Sequence, residues 1–367
     1  MELIKKFNSY EEYESFKRSE DYKVPNICAI ENNGEMNVEY NSNTYFWIEA
    51  LEDITVYFKQ LSSDNKPRGN YSFDKITWTA FKQNQSVVVL TGAKLYIKNS
   101  VIPTDYNTVG QFIISGACNI GGNIMSLLYG DDFLNNTAIP QYCFSELFEN
   151  GPIVCAHELL LPATSLGGYC CSSMFRNCKQ LITAPQLPIL NNAGYGVFLS
   201  MFDGCTSLTT APALLTENMP TCEIYNYMFA NCTNLSYIKA LFKNQPTLSS
   251  QSFTKGWVSG VSTTGTFIKH VDATWSGRGI SDVPTNWTIK YYDPNTKRLV
   301  TKFSIANISY RGADNITWEE WLASEDGSPG FYVEDDKVVS YSGNVLLDGV
   351  AVKPSDIIQN DVNYTIG

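Results

Sequence analysis

A 27-residue period between Phe148 and Phe229 constrains this chain more than any other feature. The pairs Leu147-Phe148, Met174-Phe175, Met201-Phe202 and Met228-Phe229 recur at intervals of 27, and Cys178, Cys205 and Cys232 follow at the same spacing. Self-similarity at roughly 20 to 30 residues marks a supersecondary unit that cannot bury its apolar edge alone and must stack on its neighbours. A solenoid whose core is assembled coil by coil is the expectation.

The best-formed coil reads Met174-Phe175-x-x-Cys178-x-x-Leu181-x-x-Ala184-Pro185-x-Leu187-Pro188, and the next repeats it as Met201-Phe202-x-x-Cys205-x-x-Leu208-x-x-Ala211-Pro212-x-Leu214. Apolar residues three apart predict a short helical turn at the start of each coil, followed by an extended segment that re-enters the core. Pro185 and Pro212 lack an N–H, so each is expected at a strand edge or a bend beside it. The coil ending near Leu161-Pro162 is irregular, with Cys155 displaced. After Leu235 the register decays into a Gly, Ser and Thr-rich run from Gly256 to Thr266. Terminal repeats are atypical because they must face water; the reading is three good coils with one irregular unit at each end.

The Met-Phe-x-x-Cys-(Thr/Lys)-x-Leu-x-x-Ala-Pro blocks, the lead-in Gly122-Asn123-Ile124-Met125-Ser126-Leu127-Leu128-Tyr129-Gly130 and the exit from Gly256 to Phe267 resemble the BspA-like leucine-rich repeats. Those repeats occur on surfaces of gut Bacteroidales and in proteins of their tailed, crAss-like phages. The resemblance implies a leucine-rich-repeat solenoid used for display or contact, not catalysis; no cofactor is expected. Shorter stretches point the same way. Phe7-Asn8-Ser9-Tyr10-Glu11-Glu12-Tyr13 with Pro25-Asn26, Thr317-Trp318-Glu319-Glu320-Trp321 and Val352-Lys353-Pro354-Ser355-Asp356-Ile357-Ile358 resemble terminal modules of virion proteins from those phages.

Four regions are expected: an N-terminal arm with a short helix at 1–42, an antiparallel β-sandwich at 43–121, the repeat solenoid at 122–285 and a small α+β module at 286–367. The fold class is therefore mainly β with short helices. In the arm, Ser9-Tyr10-Glu11-Glu12 has capping-box order, and Tyr10, Tyr13 and Phe16 share one helical face. The sandwich is read from the alternating runs Tyr45–Ile48, Thr55–Phe58, Ile76–Thr79, Val87–Leu90, Leu95–Ile97 and Phe112–Ile114. Beyond Trp287, strands at 288–292 and 299–305 flank a turn at Asp293-Pro294-Asn295, and Thr317 caps a helical turn with Glu320 reaching back.

A net charge of −11 argues against a nucleic-acid partner, because a basic surface supplies most of that affinity. No run approaches the roughly 18 apolar residues of a membrane-spanning helix. The opening Met-Glu-Leu-Ile-Lys-Lys lacks the apolar centre of an export signal, so assembly in a host cytoplasm and location in the virion are the expectation, with a bacterial cell surface as the alternative.

Ten cysteines invite a disulfide or zinc reading. Equivalent atoms in stacked, paired coils lie about 4.7 to 4.9 Å apart, whereas a disulfide needs Cβ atoms near 3.8 Å. Buried free thiols are expected for Cys178, Cys205 and Cys232. Cys170 and Cys171 adjoin, no C-x-x-C occurs, and His157 and His270 are the only histidines, so no metal site is expected.

No G-x-S-x-G, Walker, dinucleotide or metalloprotease motif is present. Glycan cleavage would need two carboxylates, and Asp131, Asp132, Glu146, Glu149 and Glu158 cluster near the first coil. In an acidic protein such a cluster is more often a solvated face, so no catalytic residue is assigned. Trp257, Trp275, Trp287, Trp318 and Trp321 are weighed as sugar platforms, but tryptophan in a β-rich domain belongs more often to the core. No binding residue is assigned either.

The chain reads as a non-enzymatic virion protein, a fibre, appendage or decoration subunit, attached to other virion proteins through its arm and contacting a host-surface glycan or protein. The alternatives are a bacterial adhesin for glycan or matrix protein and, less favoured, a tail-spike depolymerase. Between Gly168 and Ser250 only Arg176, Lys179, Asp203, Glu217, Glu223, Lys239 and Lys243 are charged. Such side faces carry little like-charge repulsion, and a homo-oligomer, with a trimer favoured, is expected.

Overall fold

The computed structural model describes residues 43–294 except 61–68, 82–84, 99–109, 219–222, 244–251, 274 and 276, together with strand pairings on either side of that span. The arm helix, the Thr317 turn, Trp318, Trp321, Cys28 and Cys222 lie outside the described residues. The described chain is mainly β, with one short α-helix.

Within that span eight strands come first: β1 (Phe46–Ala50), β2 (Ile54–Gln60), β3 (Asn70–Ser72), β4 (Thr79–Ala80), β5 (Ser86–Val89), β6 (Lys94–Lys98), β7 (Gly110–Ile114) and β8 (Cys118–Asn123). Helix α1 (Ser126–Tyr129) and a 3₁₀ turn follow. β9 (Ala138–Ile139), β10 (Ile153–Leu160) and β11 (Ser165–Leu166) precede the regular repeats, and β12 (Tyr237–Ala240), β13 (Thr266–His270), β14 (Thr288–Asp293) and β15 (Arg298–Val300) succeed them.

One sheet has the order β10-β8-β1-β6-β3-β4, and a second the order β5-β2-β7. Alternation decides which side chains go inward. On β6 Leu95 and Ile97 are buried between Lys94, Tyr96 and Lys98, and on β5 Val87 and Val89 are buried while Val88 is exposed. Phe46 of one sheet meets Phe112 of the other with ring centroids 5.8 Å apart.

The run Ile76–Thr79, read as a strand, is mostly a loop. The Asp74 carboxylate accepts from the amides of Ile76 and Thr77 at 2.8 and 2.7 Å, and the Ser72 hydroxyl accepts from Lys75 at 2.8 Å. Such side-chain bonds compete with ladder pairing, and Ile76 is left exposed.

β8 stands between antiparallel and parallel pairing. It runs antiparallel to β1, with Ile120 opposite Ile48, and parallel to β10, with Gly122 opposite Leu159. The ladder then continues by single parallel bridges, Cys155 to Thr183 and Thr210 to Tyr237, before β12, β13 and β14 pair as a parallel sheet. Pro185 and Pro212 explain the thinning in the middle, since neither can donate to a neighbour. β14, assigned by sequence to the last module, extends this ladder with Thr288 opposite Thr266, then turns back antiparallel into β15.

The start of each repeat is not helical. Left-handed backbone recurs every fourth residue at Tyr142, Glu146 and Asn150, then at Tyr169, Ser173 and Asn177, Gly196, Ser200 and Gly204, and Glu223, Tyr227 and Asn231, with φ from 53° to 76°. The amides alternate in their partners. Those of Ser145, Leu147, Glu149 and Gly151 bond the carbonyl three residues back, whereas those of Phe144, Glu146, Phe148 and Asn150 bond Cys170, Ser172, Met174 and Arg176 of the next repeat at 2.8 to 3.0 Å. A helix needs every amide for its own chain four residues back. Here half of them join successive turns, and the spacing that resembles a helical face belongs to a run of β-turns.

Met174, Phe175, Cys178 and Leu181, with their counterparts one repeat later, are fully buried. Ring contacts run without a break from Phe46 through Phe112, Phe148, Phe175, Phe202 and Phe229 to Trp257, at 5.4 to 6.2 Å. The left-handed positions advance from Tyr227 and Asn231 to Gly256 and Gly260, and the Phe229 amide bonds the Trp257 carbonyl at 2.8 Å. The stack thus persists beyond Leu235, where sequence register fades, because two added residues are absorbed between turns.

Candidate contact surfaces

Outward positions of the parallel ladder carry mostly threonine. Cys155 bridges to Thr183, and after a break Thr210, Tyr237, Thr266 and Thr288 succeed one another at bridged positions. Thr209, Thr210, Tyr237 and Thr288 are exposed. β-Branched threonine favours extended backbone while its hydroxyl faces water.

A second surface is built on the turns. Tyr142 stacks on Tyr169 at 5.5 Å with a 7° interplanar angle, and Tyr169 meets Tyr195 edge-on at 5.7 Å. Gly196 makes room, because a Cβ there would lie 2.6 Å from the Tyr169 ring. Tyr195 and Tyr227 are exposed by 40% and 39%, enough to offer part of a ring face to a partner. Further along the same turns Glu149 accepts from the Arg176 guanidinium, and Asp203 accepts from the Asn231 amide at 2.8 Å. Glu149, Arg176 and Asp203 stand 27 residues apart, so charge alternates in sign from one repeat to the next.

The tryptophans weighed as platforms are core. Trp257, Trp275 and Trp287 are buried, and their indole N–H groups donate to the carbonyls of Asp282, Phe242 and Ser262 at 2.8, 3.0 and 2.8 Å. The clustered acids are divided among separate structural tasks. Asp131 accepts from Lys98 at 2.6 Å and from the Tyr45 hydroxyl at 2.8 Å. The Lys98 bond holds that carboxyl below its usual range, and burial, followed by the Asp131 bond, pushes Tyr45 up to about 12. Asp132 accepts from Asn135 and Asn136, Glu149 holds Arg176, and Glu158 lies beside His157.

Each repeat cysteine is buried, and each thiol donates to a carbonyl one repeat back: Cys178 to Phe148, Cys205 to Phe175 and Cys232 to Phe202, at 3.0, 3.1 and 3.0 Å. Burial is the main cause that pushes Cys178 and Cys232 up to about 12, and it raises Cys205 as well. Sequence spacing marked the ladder but not its hydrogen bonds.

Two polar clusters escaped the sequence reading. His270, 2% exposed, accepts from the Asp272 amide at Nδ1 over 2.9 Å, and its Nε2 lies 3.6 Å from Glu217, which also binds Lys243 at 2.8 Å. Burial, then the Lys243 charge, lowers the His270 pKa. On β10 the Cys155 sulfur lies 2.8 Å from His157 Nδ1, and His157 Nε2 lies 3.6 Å from Glu158. Cys155 and His157 share a face as residues two apart on a strand do, and Glu158 joins them because the pairing is irregular there: Asn119 pairs with Cys155 but Gly121 with Glu158, two steps against three. Such a bulge turns adjacent side chains to one face.

No cluster of three or more metal-ligating side chains occurs among the described residues, and no helix among them is long and apolar enough to cross a membrane. No protein-family model, curated protein or solved structure matches the chain.

Proposed function

We propose that this chain is a non-enzymatic virion structural protein, a fibre, appendage or decoration subunit that displays a repeat surface for assembly and host-surface contact. In this reading 43–121 forms a β-sandwich, 122–285 a BspA-like leucine-rich-repeat solenoid and 286–367 a small α+β module, with the arm at 1–42 joining other virion proteins. One observation carries it. The side chains that recur at 27 residues point into the stack and hold it together, leaving hydroxyls, tyrosines and few charges outside. A scaffold of that kind offers area and repetition to a partner rather than a reaction centre.

The test is immunogold labelling of purified virions in negative stain. Gold at a fixed place on the particle supports the proposal; unlabelled particles, with label on the bacterial envelope instead, replace it by the adhesin reading. Subunit number is read by light scattering at micromolar concentration. The expected mass is three times that of the chain, since closed symmetry gives a display protein avidity; a monomer mass removes self-sufficient assembly from the proposal.

A further inference from the structure

We propose that Cys155 is a nucleophilic thiol, with His157 as its proton acceptor and Glu158 positioning that imidazole, and that it forms mixed disulfides with neutral or cationic small-molecule disulfides. The arrangement is a nucleophile within hydrogen-bond reach of a base that is itself flanked by a third group, the pattern that activates cysteine. The Cys155 sulfur is 2.8 Å from His157 Nδ1, and Glu158 lies 3.6 Å from the opposite ring nitrogen. Proton transfer from sulfur to Nδ1 leaves an imidazolium whose Nε2–H faces a carboxylate.

The other thiols of the described residues provide the contrast. Cys118, Cys143, Cys170, Cys171, Cys178, Cys205 and Cys232 are buried, while Cys155 is partly exposed on the outer face of β10. Burial raises the pKa of Cys118, Cys143 and Cys178, and a buried neutral thiol is inert.

The surroundings select the chemistry. Acyl transfer needs hydrogen-bond donors aimed at a developing oxyanion. The side chain in register with Cys155 is Asn119, whose amide donates to Glu49 at 3.2 Å and whose buried Oδ1 has no hydrogen-bond partner. That amide is engaged by Glu49. Thiol–disulfide exchange needs only a thiolate and access. The Cys155 thiolate attacks one sulfur, the S–S bond breaks, and the departing thiolate takes the proton held on His157. Glu158 beside the site, in a chain of net charge −11, disfavours anionic reagents.

The full chain is treated with 4,4′-dithiodipyridine or cystamine between pH 5.5 and 9, and the modified cysteine is assigned by peptide mass mapping. Cys155 is expected to react at pH 6 at least about tenfold faster than an ordinary thiol titrating near 8.5, and faster with cystamine than with glutathione disulfide. His157→Gln should remove that advantage and restore an ordinary thiol profile, whereas Glu158→Gln should lower the rate less, through orientation alone. A native Cys155 profile that follows an ordinary thiol, or a rate unchanged in the His157→Gln protein with the same circular dichroism, overturns the proposal. The native profile alone decides the matter if a variant fails to fold.

Discussion

The Cys205 thiol donates to the carbonyl oxygen of Phe175 over 3.1 Å, thirty residues back along the chain. That same carbonyl accepts the Cys178 amide at 3.0 Å, so one oxygen closes a turn within its own repeat and ties down the next. Cysteine at this position is therefore a donor as well as a small hydrophobe.

Cys205→Ala removes both contributions and is expected to cost about 1 to 2 kcal/mol. Cys205→Leu should be worse, because added volume in a closed stack strains both neighbours. Reductant should leave the melting temperature of the native protein unchanged. Calorimetry of the three proteins, with and without reductant, checks these outcomes; a melting temperature that falls on reduction would mean that the thiols are linked.

Phe175 stacks between Phe148 and Phe202 at 5.4 and 5.5 Å. Phe175→Ala should cost about 3 to 5 kcal/mol, and Phe175→Leu markedly less, since leucine refills most of the space. Chemical denaturation reads both values, and equal losses would show that ring contact rather than filled volume is what the position supplies.

Asn177 has φ of 58°, and the equivalent residue of the next repeat is Gly204 at 76°. Asn177→Ala is expected to destabilise by about 1 kcal/mol, the cost of a left-handed residue with an ordinary side chain. Asn177→Gly should be close to neutral. If both variants melt alike, the backbone is not what selects asparagine.

His270 supplies a pH test. Its folded pKa lies below the unfolded value near 6.5, chiefly through burial. Below that value the unfolded chain binds a proton that the folded one refuses, so this contribution is present above about pH 6.5 and fades as pH falls toward the folded pKa. Melting temperature should drop between pH 7 and pH 5.5 more steeply in the native protein than in His270→Gln. Parallel slopes would remove His270 from the titration.

The repeat was legible in sequence because buried side chains must recur wherever turns stack, and Phe148, Phe175, Phe202 and Phe229 announce that recurrence directly. Its conformation was not. Apolar residues three apart fit a helical turn and a run of β-turns equally well, and what separates them is the sign of φ at Asn150 or Ser173. Tyrosine, serine and glutamate take left-handed backbone only because the neighbouring turn supplies hydrogen bonds, and that information is distant in sequence. The Cys155 cluster was hidden for a related reason. A side chain two positions from another on a regular strand shares its face, but His157 and Glu158 both turn outward only through a pairing irregularity with β8.

The prolines carry a mechanical consequence. On the turn side, adjoining repeats are bonded at Cys171, Ser173, Phe175 and Asn177 to Val197, Leu199, Met201 and Asp203. On the opposite edge, among the described residues, no backbone bridge joins 181–188 to 208–215, and the Leu190 amide instead meets the Thr216 hydroxyl at 2.9 Å. A column fastened along one edge and open along the other flexes as a hinge about its fastened edge. Among the described residues, lateral load is therefore expected to open the stack first between Pro185 and Pro212.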